Sequence, residues 1–185
     1  MMDAARDLEL KLCDIQGRLF ERSLKKKLDS AAFMRQFMYS HTAAALDSSY
    51  NRMQWAGEEY LLEELEAECG AKLKTGGVLF DNEQLYWAGY LYRYWHFMTG
   101  ESSKEIYKQA NAQTMRRNYL MFHTMDNRLA VENLKEIHRQ CARPSAAEKG
   151  IAADVLRKAI HEERLSETET EALRKTIRLL VGKKR

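Results

Sequence analysis

Apolar positions recur at helical spacing along most of the chain, with no strand-like alternation. Leu8, Leu12, Ile15 and Leu19 step by four, three and four residues, which predicts one long helix over 4–28. Leu24 and Leu28 extend its stripe, and Lys25, Lys26 and Lys27 suit the negative end of its dipole. Asp29 or Ser30 is placed to cap a helix carrying Phe33, Met34, Phe37 and Met38. A short Ala-rich helical turn over 41–46 ends at Asp47, Ser48 and Ser49. A further helix is predicted over 53–69, with Trp55, Leu61, Leu62 and Leu65 inward. Its other side carries Glu58, Glu59, Glu63, Glu64, Glu66 and Glu68. Gly70 stops it, and residues 71–80, with Thr75, Gly76 and Gly77, read as a loop.

The stretch Leu85 to Met98, LYWAGYLYRYWHFM, breaks the amphipathic rhythm. Eight of its fourteen residues are aromatic when His96 is counted, and they occupy nearly every face of a helix. Asp81 caps it and Gly100 ends it. Such a helix over 82–98 is either wrapped at the centre of a bundle or shows a partner a second apolar face. In the first reading Trp87, Leu91, Tyr94, Trp95 and Met98 fill the core, and Tyr86, Tyr90 and Phe97 meet a second layer.

Downstream, Ser102 or Ser103 caps a helix over 104–110 with Ile106 and Tyr107 inward. Asn111 caps another over 112–121, and His123 and Asp126 form a structural corner. Asp126 caps a helix over 127–142, with Leu129, Ala130, Asn133, Leu134 and Ile137 on one side. Pro144 ends it. A helical hairpin follows, roughly 146–163 and 167–181, with a capping box at Ser166 to Glu169. The expectation is an all-α fold, a multi-helix bundle of about seven to nine helices around a central aromatic helix. Residues 1–143 form its core and 144–185 a C-terminal hairpin. The N-terminal stripe also resembles a short coiled-coil seam, so that helix either packs in cis or forms a homodimer.

Composition narrows the class. The chain has 185 residues, one Pro and nine Gly, and is 45% apolar and 31% charged, which is a globular composition. The net charge of +3 is too small to imply nucleic acid and excludes a strongly acidic DNA mimic. Cys13, Cys69 and Cys141 are isolated and odd in number, so structural thiols in a reducing cytoplasm are expected rather than disulfides or zinc. No apolar run approaches the ~18 residues of a bilayer span, and the N-terminus lacks the core of a signal peptide. The expected localisation is cytoplasmic, with no membrane partner.

Candidate chemistry is sparse. Paired helical ligands of the H-E-x-x-H or E-x-x-H kind are absent, as are the phosphate-loop, dinucleotide and nucleophile-elbow motifs. No metal and no cofactor are expected. The segment 102–119 has the rhythm of a helix-turn-helix, with Lys104, Gln113, Arg116 and Arg117 suited to phosphates and base edges. Two features oppose that reading: the turn lacks a glycine, and the apolar Leu120, Met121 and Phe122 that follow are expected to be buried. His123 is the residue a hydrolase reading would use, as a general base needing a nucleophile in reach. The interface reading takes Trp87, Tyr90, Arg93 and Tyr94 as partner contacts, because Trp, Tyr and Arg are favoured anchors. Glu58, Glu59 and Glu63 would steer a basic partner.

Residues 87–134 resemble a small helical module of uncharacterised function from gut bacteria and their mobile elements. The pattern is the aromatic helix, then Ser102, Lys104, Glu105, Ile106 and Tyr107, then Tyr119 ahead of Phe122, His123 and Thr124. Related modules sit in some cases beside toxin genes. The resemblance implies a non-enzymatic, antitoxin-like or inhibitor-like protein that occludes a partner protein. A host defence nuclease is one such partner, as for an anti-CRISPR-type inhibitor. A DNA-binding regulator and a His123 hydrolase are the alternatives.

Overall fold

The structure, a computed structural model, describes residues 2–141 together with Thr168, Glu171 and Lys175, with side chains from Arg6 onward. It is all-α. Eight α-helices are present among the described residues: α1 (Met2–Arg22), α2 (Ser30–Met38), α3 (His41–Asp47), α4 (Glu58–Cys69), α5 (Asn82–Thr99), α6 (Ser103–Gln109), α7 (Ala112–Phe122) and α8 (Asn127–Cys141). Three 3-10 turns interrupt them at Ser23–Lys26, Arg52–Trp55 and Gly70–Lys72. The chain divides into two compact units, Met1–Lys135 and Glu136–Arg185. In the second, Arg139 pairs with Glu136 at 3.0 Å, and Thr168, Glu171 and Lys175 are helical. The rest of the predicted hairpin, with Pro144 and Ser166, lies outside the described residues.

Local capping explains most boundaries. Asp29 accepts the Ala32 amide at the start of α2, Asn111 the Thr114 amide at the start of α7, and Asp126 the Arg128 amide at the start of α8. Asp81–Gln84 and Ser102–Glu105 form reciprocal capping boxes. Gly100 ends α5 in the left-handed conformation that glycine adopts without a Cβ clash. Two boundaries differ from expectation. The first helix stops at Arg22, where a 3-10 turn takes over. The fourth starts at Glu58, because Ala56 and Gly57 are extended and cut Trp55 off in its own turn. Trp55 is therefore not a core residue and stands 79% exposed.

The helix α5 is central. It lies along α1 and also packs on α6 and α7. Leu85, Trp87, Ala88, Gly89, Leu91, Tyr92, Arg93 and Trp95 are buried along it. Tyr94 is only half-buried and Met98 is exposed, so the inward face is rotated from the predicted one. The crossing with α1 is close. A Cβ on Gly89 would lie 2.5 Å from the Gln16 carbonyl oxygen and 2.9 Å from the Phe20 ring. Opposite it, Gly17 leaves room for the Tyr86 ring. The apolar stripe of α1 is thus used within the chain. Beside the crossing, Phe20 packs edge-on against Phe33 and Phe37, at 5.3 and 5.2 Å between centroids, joining α1 to α2.

The predicted loop 71–80 is held down by Asp29. Its carboxylate accepts the Val78 amide at 2.9 Å while capping α2, and Ser30 Oγ accepts the Phe80 amide. An isolated antiparallel bridge links Leu28 and Thr75, the one β-pairing among the described residues. Gly77 has φ +94° and touches Asp29, so both its conformation and its lack of a side chain are required there.

Candidate functional site

Arg93 overturns one expectation outright. It was expected at a partner interface but is 0% exposed. Its guanidinium donates to Asp47 at 2.7 Å, to Gln16 Oε1 at 2.9 Å and to Ser103 Oγ at 3.4 Å. Asp47 also accepts the Ser103 amide and hydroxyl, each at 2.7 Å. Burial pulls the Arg93 pKa down and the Asp47 charge opposes that. This buried network ties the end of α3 and the start of α6 to the middle of α1 and to α5.

The other predicted contacts divide between two surfaces. Tyr94 lines a groove with Arg6, Glu9, Leu10, Cys13, Phe97 and Met98. Burial pushes the Cys13 thiol up to about 12, so it is not a reactive thiolate. Trp87 and Tyr90 line a different cleft of about 390 Å³, between α5 and the α7–α8 corner. Helical spacing builds it: Glu83, Tyr86, Trp87 and Tyr90 follow one another on one side of α5, and Tyr119 of α7 is one turn from His123 at that helix's cap. Glu21 of α1, Asn82 and Asn127 complete the rim.

The cleft is mainly aromatic. Trp87 and Tyr119 are buried and meet edge to face at 5.6 Å. Tyr119 stacks on His123 at 4.5 Å, and Tyr86 lies 6.2 Å from Tyr90. Polar bonds fix these rings. Tyr119 donates its hydroxyl to Glu83 at 3.1 Å, and Tyr86 donates to Asp14 at 2.7 Å. Asn82 donates to Glu21. The His123 Nδ1 bonds the Tyr119 carbonyl at 2.9 Å; a carbonyl only accepts, so that nitrogen carries the proton and a neutral ring keeps Nε2 as an acceptor. Burial and the Asp14 bond push Tyr86 up to about 12, and burial and Glu83 raise Tyr119.

Around the corner the expected burial of Leu120 and Met121 fails. They are 79% and 65% exposed, and only Phe122 turns inward. Leu129 is exposed too, because α8 buries Ala130, Val131 and Leu134 instead. Met125, two residues after His123, is exposed as well. His123 stands at the C-terminal cap of α7, and Asp126 accepts the Arg128 amide at the start of α8.

The acidic side of α4 is largely engaged within the fold. Glu59 pairs with Arg22 at 2.7 Å, Glu66 pairs with Lys26 at 2.6 Å, and Glu68 accepts the His41 amide at 2.7 Å. Glu63 is exposed and Glu58 half-buried. On α6 and α7, Lys104, Gln113, Arg116 and Arg117 are exposed, with Arg116 4.8 Å from the Phe80 ring and Lys104 5.8 Å from that of Tyr39. Among the described residues no group of three or more His, Cys, Asp or Glu is placed to hold a metal ion, and no helix is long and apolar enough to cross a membrane.

Glu83, Tyr86 and Asn127 were not anticipated as site residues. The 83-86/87-90 spacing on a capped helix was the available signal, but nothing local shows which face of α5 is left open. Comparison with known protein families, with curated proteins and with solved structures returned no match.

Proposed function

We propose that the protein is a non-enzymatic binding protein that docks a partner protein over the α5–α7 cleft and the α7–α8 corner. The observation that carries this reading is an aromatic cleft whose residues Tyr119, His123 and Asn127 are flanked along the chain by the exposed Leu120, Met121, Met125 and Leu129. A recessed aromatic pocket with an apolar shoulder has the anatomy of an interface hot spot and its surround. Chemistry at the cleft is disfavoured. Among the described residues no Ser, Thr or Cys lines it, and its tyrosines have raised rather than lowered pKa values, which opposes a phenolate nucleophile. We take the role as antitoxin-like or inhibitor-like, the class that the sequence resemblance over 87–134 implies, with occlusion of the partner's working site as the mechanism. The test is a photo-crosslinking residue placed at Leu120 or Met121, with Lys108 as an exposed control, in the native host. A discrete adduct from the two corner positions and none from Lys108 is expected. Equal labelling from all three, or none, overturns the proposal.

A second reading keeps the exposed Gln113, Arg116 and Arg117, which share one side of α7 with Leu120. This is a duplex-binding surface. Loss of any gel shift with random duplex at low salt removes it, because phosphate contacts alone give measurable affinity.

A further inference from the structure

We propose that the α5–α7 cleft is a receptor for an organic cation, and that the group it takes is the guanidinium of an arginine side chain on the docked protein. The inference rests on the docking proposal and names the chemistry of its anchor.

Aromatic faces attract cations through their quadrupole, and carboxylates at the rim reinforce the attraction. Elsewhere in this fold the attraction is already used. Cations lie over Tyr39, Phe80, Trp95 and Phe97. Among the described residues none lies over Tyr86, Trp87, Tyr90 or Tyr119. Among the described residues no Lys or Arg lines the cleft.

The carboxylates are not equivalent. Glu21 also borders a neighbouring groove that contains Arg18, Arg22 and Lys25, so its charge is partly compensated. Asp14 is paired with Arg18. Glu83 has no ion-pair partner among the described residues, and its one side-chain bond there is the one it accepts from Tyr119. A carboxylate beside the half-buried rings of Tyr86 and Tyr90 is the complement of a flat cation that both stacks and donates hydrogen bonds. A guanidinium does both; a lysine ammonium is a compact, strongly hydrated point charge, and a quaternary ammonium donates nothing. The cleft volume of about 390 Å³ is at the lower end of ligand pockets and holds one long side chain.

The experiment titrates the full chain with N-acetyl-arginine amide, with its lysine counterpart and with N-acetyl-citrulline amide. Citrulline keeps the shape and removes the charge. Binding is followed by NMR through the Trp87 indole and His123 ring signals. The arginine probe is expected to shift both signals with a dissociation constant in the low millimolar range, at least tenfold tighter than citrulline and tighter than lysine. Glu83→Gln, which keeps an acceptor for Tyr119, is expected to weaken the arginine probe about tenfold and leave the citrulline probe unchanged. Asp7→Asn, which removes an exposed carboxylate near the start of α1, is expected to change nothing. Equal affinity for arginine and citrulline, or no shift at either ring, overturns the inference. Because these probes need no partner, that result is separable from failure of the crosslinking experiment, which would sink the docking proposal by itself.

Discussion

At the residue scale, Glu101 shows how much a single carboxylate can organise. It accepts from the Trp95 indole at 2.7 Å, Lys135 at 2.8 Å, Thr99 at 3.0 Å and Gln109 at 3.0 Å. Burial alone would raise its pKa, but these four donors outweigh it and hold the carboxyl at about 2. The folded value lies below the ordinary value of 4.5. Its contribution to stability is therefore complete above that ordinary value and is lost as the pH falls from there toward about 2. Glu101→Gln should lower the urea midpoint at neutral pH and flatten the acid limb of the stability profile over that window. An unchanged acid limb would show that the carboxylate carries no such linkage. Single residues of this kind were only partly legible. Caps such as Asp29, Asn111 and Ser102 stand three residues from the amides they hold, so local pattern finds them. The Arg93–Asp47 pair is 46 residues apart, and no local signal separates a buried arginine from an interface arginine inside an aromatic run.

At the scale of elements, the crossing of α1 and α5 depends on missing side chains. Glycine within a helix costs about 1 kcal/mol against alanine, so Gly17 and Gly89 mark a place where something else compensates. That compensation is close approach. Gly89→Ala gains helix propensity but drives a methyl into the Gln16 carbonyl, which is backbone and cannot swing aside. Net destabilisation of about 1–3 kcal/mol is expected from this overpacking, measured by chemical denaturation. A stabilised variant would mean the helices separate freely. The glycines were visible in the sequence; their partners were not, because packing sets them. Trp55 failed for a related reason. Its spacing to Leu61, Leu62 and Leu65 fits one helix, yet Ala56 and Gly57 leave the helical region and turn the ring outward.

At the scale of the whole molecule, the all-α bundle and its aromatic centre were legible because periodicity, capping and composition agreed. The open surface was not. Leu120, Met121 and Leu129 follow a pattern that reads as core, and only the assembled packing of α7 and α8 shows them outside. Their substitution separates fold from surface. The double variant Leu120→Asp, Met121→Asp should keep its melting temperature, with a stability change within about 0.5 kcal/mol, as for ordinary surface positions. A loss of several kcal/mol would mean that these side chains are covered.

The Gln16 side chain bonds the Gly89 carbonyl across 73 residues of chain, and this sets an order of events during synthesis. The first helix leaves the ribosome long before its mate exists, with Leu12, Leu19 and Phe20 uncovered. Domains emerge at about 5–20 residues per second, so that interval lasts several seconds, during which the nascent chain is a substrate for chaperones. The cleft, lined by Glu21 and by residues as late as Asn127, waits longer still.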